Sequence, residues 1–190
     1  MSKIKLGFAL CGSFCTLEKS IKLMEKLVNI GYDILPIMSF NAYNLDTKFG
    51  KSRDFIQKIE EITSKTVLNS LTEVEPIGPQ NLTDIMLVCP CTGNTLSKIA
   101  HAITDTPVTL AVKSHLRVKK PVVIALATND ALGASFKNIS HIFNTKHIFV
   151  SPLNQDDYDK KPNSMVANFD LIPDALNLAL QNKQINPIFI

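Results

Sequence analysis

Residues 84–102 read DIMLVCPCTGNTLSKIAHA, and this stretch predicts a buried strand, a polar turn and a helix. Residues 85–88 form an unbroken apolar run, as a strand covered on both faces requires, and Pro90 is expected to end it because proline has no ladder N–H. From Leu96 onward the apolar residues recur at helical spacing. Residues 92–95 are therefore a turn that leaves backbone N–H groups at the positive end of a helix, and we interpret it as one wall of a ligand site.

The composition is that of a globular domain. The chain has 190 residues, of which 45% are hydrophobic, and a formal net charge of +3. This length and hydrophobic content suit a single domain over residues 1–190 with a full core. The small charge gives no reason to expect a nucleic-acid partner. Neither a signal-peptide pattern nor an apolar run of the ~18 residues that cross a membrane occurs, so we expect a cytoplasmic protein with no membrane partner.

Strand and helix patterns alternate along the chain, with Thr16 as the predicted N-cap of the first helix. Predicted strands cover residues 5–10, 33–38, 85–88, 121–127 and 147–150. Predicted helices cover residues 17–30, 54–64, 96–103, 107–118, 131–143 and 169–181. Residues 71–82 and 154–163 predict loops, because both are polar or rich in proline. This alternation predicts an α/β fold with a doubly wound parallel sheet.

Four short polar turns each follow a predicted strand. They are Gly12-Ser13, Ser39-Phe40-Asn41, Thr92 to Thr95, and Thr128-Asn129-Asp130. Ligands of such sheets bind beyond the carboxyl ends of the strands, so all four turns should lie on one rim and form a cradle for a phosphate and a polar ring. The sequence lacks the glycine patterns of dinucleotide-binding and P-loop proteins, which argues against those two classes.

Each signal also has a simpler interpretation when taken alone. Gly12 can serve only a tight turn, and Asn94 can simply cap its helix. Residues 161–164 are either a flap over the ligand or an ordinary surface loop. The four cysteines (Cys11, Cys15, Cys89 and Cys91) and the four histidines lack metal-ligand spacing, so we expect buried or cleft-lining thiols and no metal site.

Residues 89–100 resemble the Pro-Ala-Ser/Thr-x-Asn-Thr-x-x-Lys-x-Ala motif of the flavoprotein family that includes the phosphopantothenoylcysteine decarboxylases. Further motifs resemble one branch of this family, and together they span nearly the whole chain. These motifs are residues 76–79, 104–109, 127–130, 155–157 and 161–164. The resemblance implies a flavodoxin-like three-layer fold, bound FMN and a homo-oligomer.

The resemblance also implies roles for individual residues. Residues implied to bind FMN are Gly12, Ser13, Phe14, Ser39, Phe40, Thr92, Gly93, Asn94, Thr95, Thr128, Asn129 and Asp130. Residues implied to contact the substrate are Lys161, Asn163 and Ser164. It assigns no catalytic residue.

As to activity, the resemblance implies one component of a two-protein enzyme whose other component, the A subunit, is NAD(P)-dependent. Together they would oxidise dihydrodipicolinate to dipicolinate in the mother cell of a sporulating bacterium. Two alternatives stay open. A flavin-dependent decarboxylase of a cysteine-type substrate would need the histidine that the wider family has before the central strand, where this chain has residues 79–82, Pro-Gln-Asn-Leu. A non-catalytic scaffold or binding subunit would hold a ligand or stabilise the A subunit while that partner carries out the redox step.

Overall fold

The computed structural model describes residues 3–190, and their strands form a single seven-stranded sheet. The strands are β1 (Lys5–Leu10), β2 (Asp33–Met38), β3 (Ile85–Cys91), β4 (Val122–Thr128), β5 (Ile148–Val150), β6 (Leu153–Gln155) and β7 (Met165–Ala167). Their order is β2-β1-β3-β4-β7-β6, and β5 also pairs with β4. Strands β1 to β5 are mutually parallel.

Helices cover both faces of the sheet. They are α1 (Phe14–Asn29), α2 (Phe40–Asn44), α3 (Ser52–Thr63), α4 (Leu71–Val74), α5 (Gly93–Ala100), α6 (Pro107–Arg117), α7 (Phe136–Phe143) and α8 (Ile172–Ala179). Short 3₁₀ helices lie at Glu75–Ile77 and Phe169–Leu171. In the sheet, β2 lies on one side of β1, and β4 lies on the other side of β3. The crossovers from β1 to β2 and from β3 to β4 therefore run in opposite directions, and because such crossovers are right-handed, the helices of the two crossovers lie on opposite faces. The predicted three-layer α/β fold is confirmed.

The central strand β3 is longer than predicted. All seven of its residues are buried, and it continues through Pro90 to Cys91. Its register against β4 shifts between Val88 and Cys91, so Pro90 lies at an irregularity where no ladder N–H is needed. The carbonyl of Pro90 still accepts a hydrogen bond from the N–H of Cys11 at 3.2 Å. The expectation that Pro90 ends the strand was therefore wrong.

The predicted loop at residues 154–163 is part of an antiparallel hairpin, β6 and β7. Strand β7 pairs with the last residues of β4, Ala127 and Thr128, while β5 pairs with the first residues of the same strand. This hairpin adds an antiparallel edge to an otherwise parallel sheet. Its connecting loop, residues 156–164, consequently lies at the carboxyl end of β4.

Helix boundaries differ from the predictions where side chains form unforeseen local bonds. Helix α1 begins at Phe14, and Thr16 lies inside its first turn, where its hydroxyl donates to the Ser13 carbonyl at 3.0 Å. A capping box between Ser70 and Glu73 starts α4 within the predicted loop. Helix α7 begins later than predicted, and α2 was not predicted. No helix within residues 3–190 has the length and apolar character that a membrane span needs.

A buried histidine lies at the amino end of the sheet, opposite the predicted rim. His115 of α6 is fully buried. Its Nε2 lies 3.1 Å from the carbonyl oxygen of Pro121, and its Nδ1 lies 3.0 Å from the hydroxyl of Thr83. A carbonyl only accepts, so Nε2 carries the hydrogen and Nδ1 accepts from Thr83. Burial lowers the pKa of His115 from 6.5 to about 4.

This histidine predicts a loss of stability in acid. In the unfolded chain His115 becomes protonated below pH 6.5, whereas in the folded chain it becomes protonated only below about pH 4. The free energy of unfolding is therefore unaffected by the titration of His115 above pH 6.5, and it falls by about 3 kcal/mol as the pH is lowered to 4. Urea unfolding at a series of pH values should show this loss in the wild type. In His115→Gln this part of the pH dependence should vanish, and parallel curves for the two proteins would contradict the assignment.

Candidate functional site

The four predicted turns meet at one edge of the sheet. Strands β2, β1, β3 and β4 are adjacent and parallel, so the turns that follow them lie side by side at their carboxyl ends. The chain turns to opposite sides after β1 and β3, which makes the boundary between these strands the topological switch point. Ligands of open α/β sheets bind at this position.

Two adjoining clefts open along this edge. Cleft 1, of about 660 Å³, lies between the ends of β1, β3 and β4, and cleft 2, of about 440 Å³, lies between the ends of β1, β2 and β3. Gly12 and Thr92 line both clefts. All of the residues predicted to bind the cofactor line one cleft or both: Gly12, Ser13, Phe14, Thr92, Gly93, Thr128, Asn129 and Asp130 in cleft 1, and Gly12, Ser39, Phe40, Thr92, Asn94 and Thr95 in cleft 2. Their role in binding stays a prediction.

The turn between β3 and α5 is held by its threonines. Thr92 is the N-cap of α5, and its hydroxyl oxygen accepts from the N–H of Thr95 at 3.3 Å. Gly93 comes so close to β4 that an added Cβ would lie 2.8 Å from Oγ1 of Thr128. The small-residue turn thus permits the close approach of two neighbouring turns, and this closeness brings their polar groups into one cleft.

The N-terminus of α1 faces cleft 1. Ser13 is its N-cap residue, yet its side chain caps no backbone N–H and its hydroxyl oxygen instead lies 2.8 Å from that of Thr16. The first N–H groups of a helix have no carbonyl partner within the helix. In α1, a helix of 16 residues, the N–H of Thr16 donates to the carbonyl of Ser13 at 3.0 Å. The N–H groups of Phe14 and Cys15 and the positive end of the dipole are therefore directed to the cleft, where they favour an anion.

Cleft 2 is lined mainly by hydroxyl and amide groups and one ion pair. Ser39 accepts from the N–H of Ala42 at 3.3 Å, and its own N–H donates to the carbonyl of Leu10 at 2.9 Å, which ties the turn after β2 to the end of β1. Lys98 of α5 lies 2.8 Å from both carboxylate oxygens of Asp105. This hydrogen bond from Lys98 lowers the pKa of Asp105.

The hairpin loop, residues 156–164, borders cleft 1 from the side of β4. Lys161 lines the cleft and pairs with Asp156 at 3.0 Å, a hydrogen bond that raises the pKa of Lys161. The carbonyl of Asn163 accepts from Leu132 N–H at 3.1 Å. Ser164 is fully buried, and its hydroxyl donates to Oδ1 of Asn129 at 3.3 Å. Of the three residues implied to contact the substrate, only Lys161 lines the cleft, whereas Ser164 positions Asn129.

Sequence reasoning missed several residues that line the clefts. They are Lys19, Lys48, Phe49 and Asp156 in cleft 1, and Lys98, Asp105 and Thr106 in cleft 2. The cleft 2 residues lie within motifs that resemble the family, and a search of those motifs for side chains near helix starts would have found Asp105 and Thr106, but not Lys98, which lies in the last turn of α5. Lys48 and Phe49 lie in an aperiodic segment that offers no such signal.

The cysteines and histidines do not form a metal site in the described part of the chain. Within residues 3–190, no group of three or more His, Cys, Asp or Glu side chains is placed to hold a metal ion. Three thiols are buried beneath the rim, and burial raises the pKa of Cys11 to about 11 and that of Cys89 to about 12. None of the four histidines lines either cleft.

Comparison with known proteins shows which family this chain resembles. A family model described as Flavoprotein matches residues 1–173. The dipicolinate synthase B subunit of Bacillus subtilis (strain 168) is 42% identical over 193 residues, which cover 100% of this chain and 96% of that protein. The crystal structure of the dipicolinate synthase B subunit from Bacillus halodurans C matches with a TM-score of 0.90 and 40% identity over 100% of this chain and 98% of that chain.

A more distant structure shares the fold alone. Burkholderia xenovorans DmrB, solved in complex with FMN and described as a cubic protein cage, matches with a TM-score of 0.70 at 16% identity. The match covers 95% of this chain and 97% of that chain.

Proposed function

The chain belongs to the Flavoprotein family, and from this premise we propose that it is the FMN-binding subunit of a dipicolinate synthase. In this proposal it acts with an NAD(P)-dependent partner, the A subunit, and the pair oxidises dihydrodipicolinate to dipicolinate during sporulation. The observation on which the proposal rests is the meeting of four polar turns in two adjoining clefts at the switch point of the sheet. The relative from Bacillus subtilis is named as one subunit of a synthase, which supports the existence of a partner.

The residues at the rim fit FMN in kind and in position. A phosphate suits the uncapped N-terminus of α1, beside Gly12 and Ser13, because free N–H groups and the helix dipole favour an anion. The ribityl hydroxyls suit the polar groups of Ser39, and the flavin ring suits the turns at residues 92–95 and 128–130. When bound, FMN supplies a ring that exchanges two electrons.

The overall reaction removes two hydrogens from the dihydropyridine ring. One leaves as a hydride, for which NAD(P)⁺ on the partner protein is the acceptor, and the other leaves as a proton to water, so that the ring becomes aromatic. The contribution of this chain is to bind and orient FMN and the substrate. Since Oδ1 of Asn129 accepts from Ser164, the amide N–H groups of Asn129 are the donors that it offers to acceptor atoms in cleft 1.

The decarboxylase alternative has less support. The wider family's reaction uses a histidine at the substrate, whereas no histidine of residues 3–190 lines either cleft. His115 belongs to α6 and is buried at the amino end of the sheet, opposite the two clefts.

The test combines a spectrum with an assay of the reconstituted pair. Purified protein should show absorption bands near ~370 and ~450 nm that follow it through a column. With its NAD(P)-dependent partner it should form dipicolinate and NAD(P)H in equal amounts. Asn94→Ala, in cleft 2, should lower both flavin content and turnover, whereas Asn144→Ala, at the exposed C-terminus of α7, should leave both unchanged.

Two results would overturn the proposal. Full turnover by a protein that neither contains nor takes up FMN would make the chain a non-catalytic binding protein only. Release of CO₂ from a thiol-bearing substrate, without oxidation of dihydrodipicolinate, would make it a decarboxylase.

A further inference from the structure

Cleft 1 contains three lysines that come from three separate parts of the chain. Lys19 belongs to α1, Lys48 to the segment between α2 and α3, and Lys161 to the hairpin loop. Resting on the function proposed above, we infer that these lysines bind the carboxylates of a flat dicarboxylate substrate, and that its binding site is the lysine-lined side of cleft 1, next to the FMN that the proposed function places there.

Two of these ammonium groups have no carboxylate partner among residues 3–190. Lys19 and Lys48 form none of the ion pairs found there, and Lys48 lies instead over the Phe49 ring, with Nζ 5.2 Å from its centroid. Lys161 pairs with Asp156, but this one bond leaves further donors, since an ammonium group has three N–H groups. All three lysines can therefore donate to a bound anion.

The acidic residues of the cleft cancel only part of this charge. Asp130 is engaged by its own turn: Oδ1 accepts from the N–H of Ala134 at 3.2 Å, and Oδ2 accepts from the hydroxyl of Ser135 at 3.4 Å. Asp156 is engaged by Lys161. Three ammonium groups thus face two carboxylates, which leaves one net positive charge among these five side chains. A cleft of this charge attracts and concentrates anions.

The remaining walls suit a flat ring. Phe14 and Phe49 line the same cleft, and aromatic side chains offer apolar faces on which a planar ring packs. Dihydrodipicolinate and dipicolinate each carry two carboxylates, one on either side of the ring nitrogen. Their two negative charges match the lysines, which approach from different elements, and their ring matches the phenylalanines. A monocarboxylate would satisfy only part of this arrangement.

The experiment is a calorimetric titration of the full-length, FMN-loaded protein with dipicolinate. Picolinate, with one carboxylate, and isophthalate, with two carboxylates but no ring nitrogen, serve as comparison ligands. We expect wild-type protein to bind dipicolinate about tenfold or more tightly than picolinate. Lys19→Ala, Lys48→Ala and Lys161→Ala should each weaken dipicolinate binding by about 5- to 20-fold while changing FMN affinity less than about twofold.

Lys51→Ala is the matched control. Lys51 is exposed, lies three residues from Lys48 and does not line cleft 1, so its substitution should leave dipicolinate binding as in the wild type. Equal binding by wild type and all three cleft variants would overturn the inference. So would a loss of FMN binding in the lysine variants, because the lysines themselves would then hold the cofactor phosphate, which the proposed function places at the N-terminus of α1.

These failures are distinguishable from failure of the proposed function. If the protein binds no FMN and the pair does not turn over, the proposed function fails. If the pair is active and dipicolinate binding is insensitive to the lysines, only the inference about cleft 1 fails.

Discussion

Gly78→Ala is expected to lower the free energy of unfolding by more than about 3 kcal/mol, because backbone rather than a flexible side chain occupies the space that a Cβ would need. Gly78 is buried, and an added Cβ would lie 1.8 Å from the carbonyl oxygen of Ser114 in α6. The N–H of Gly78 also donates to the Ser114 hydroxyl at 2.9 Å. Relief of the overlap requires this segment to move away from α6 and to break that bond.

Urea unfolding of purified protein measures the effect, and Gln80→Ala is its control. Gln80 is exposed in the same turn, so its replacement should change the free energy of unfolding by less than about 0.5 kcal/mol. If Gly78→Ala is recovered only from inclusion bodies while Gln80→Ala is recovered folded, the prediction also holds. A Gly78→Ala protein as stable as Gln80→Ala would contradict the packing described for this turn.

Gly12→Val is expected to weaken FMN binding by at least about 100-fold while leaving the fold intact. Gly12 lines both clefts. A Cβ there would lie 3.4 Å from the ring of Phe14 and 3.5 Å from Cβ of Asn41, which is ordinary contact, and its backbone lies outside the left-handed region. The position thus accepts a side chain without strain, but the further methyl groups of valine would enter space that the ligand needs.

Quenching of FMN fluorescence measures the affinity, and the thermal midpoint reports the fold. Gly12→Ala provides a graded control, because a single methyl group should produce a smaller loss of affinity than valine. Undiminished FMN binding by a folded Gly12→Val protein would show that the cofactor lies elsewhere.

The sequence predicted the features that depend on short-range pattern. Apolar runs located β1 to β5, and the rule that ligands bind at the carboxyl ends of parallel strands placed four distant turns on one edge. The change to helical spacing at Leu96 predicted a turn at Thr92 to Thr95, but α5 already begins at Gly93, so only Thr92 lies outside the helix, as its N-cap. Such features are determined by neighbours in sequence.

The features that were missed depend on contacts between distant segments. Strands β6 and β7 have three residues each, too few for an alternating pattern, and they form only because β7 pairs with the end of β4. Pro90 is accommodated by a register shift that needs β4. The meeting of Lys19, Lys48 and Lys161 in one cleft follows from the positions of three elements, and no local pattern in the sequence indicates it.

A crystal structure of this protein grown with FMN tests most directly the central claim, that the four turns at the carboxyl edge together form one flavin site. We expect density for the phosphate beside Gly12, Ser13 and Ser39, and for the flavin ring against the turns that begin at Thr92 and Thr128. Flavin density away from this edge would contradict it. A crystal fully occupied by FMN in which any of the four turns lies beyond hydrogen-bond distance of the FMN, about 3.5 Å, would also contradict it.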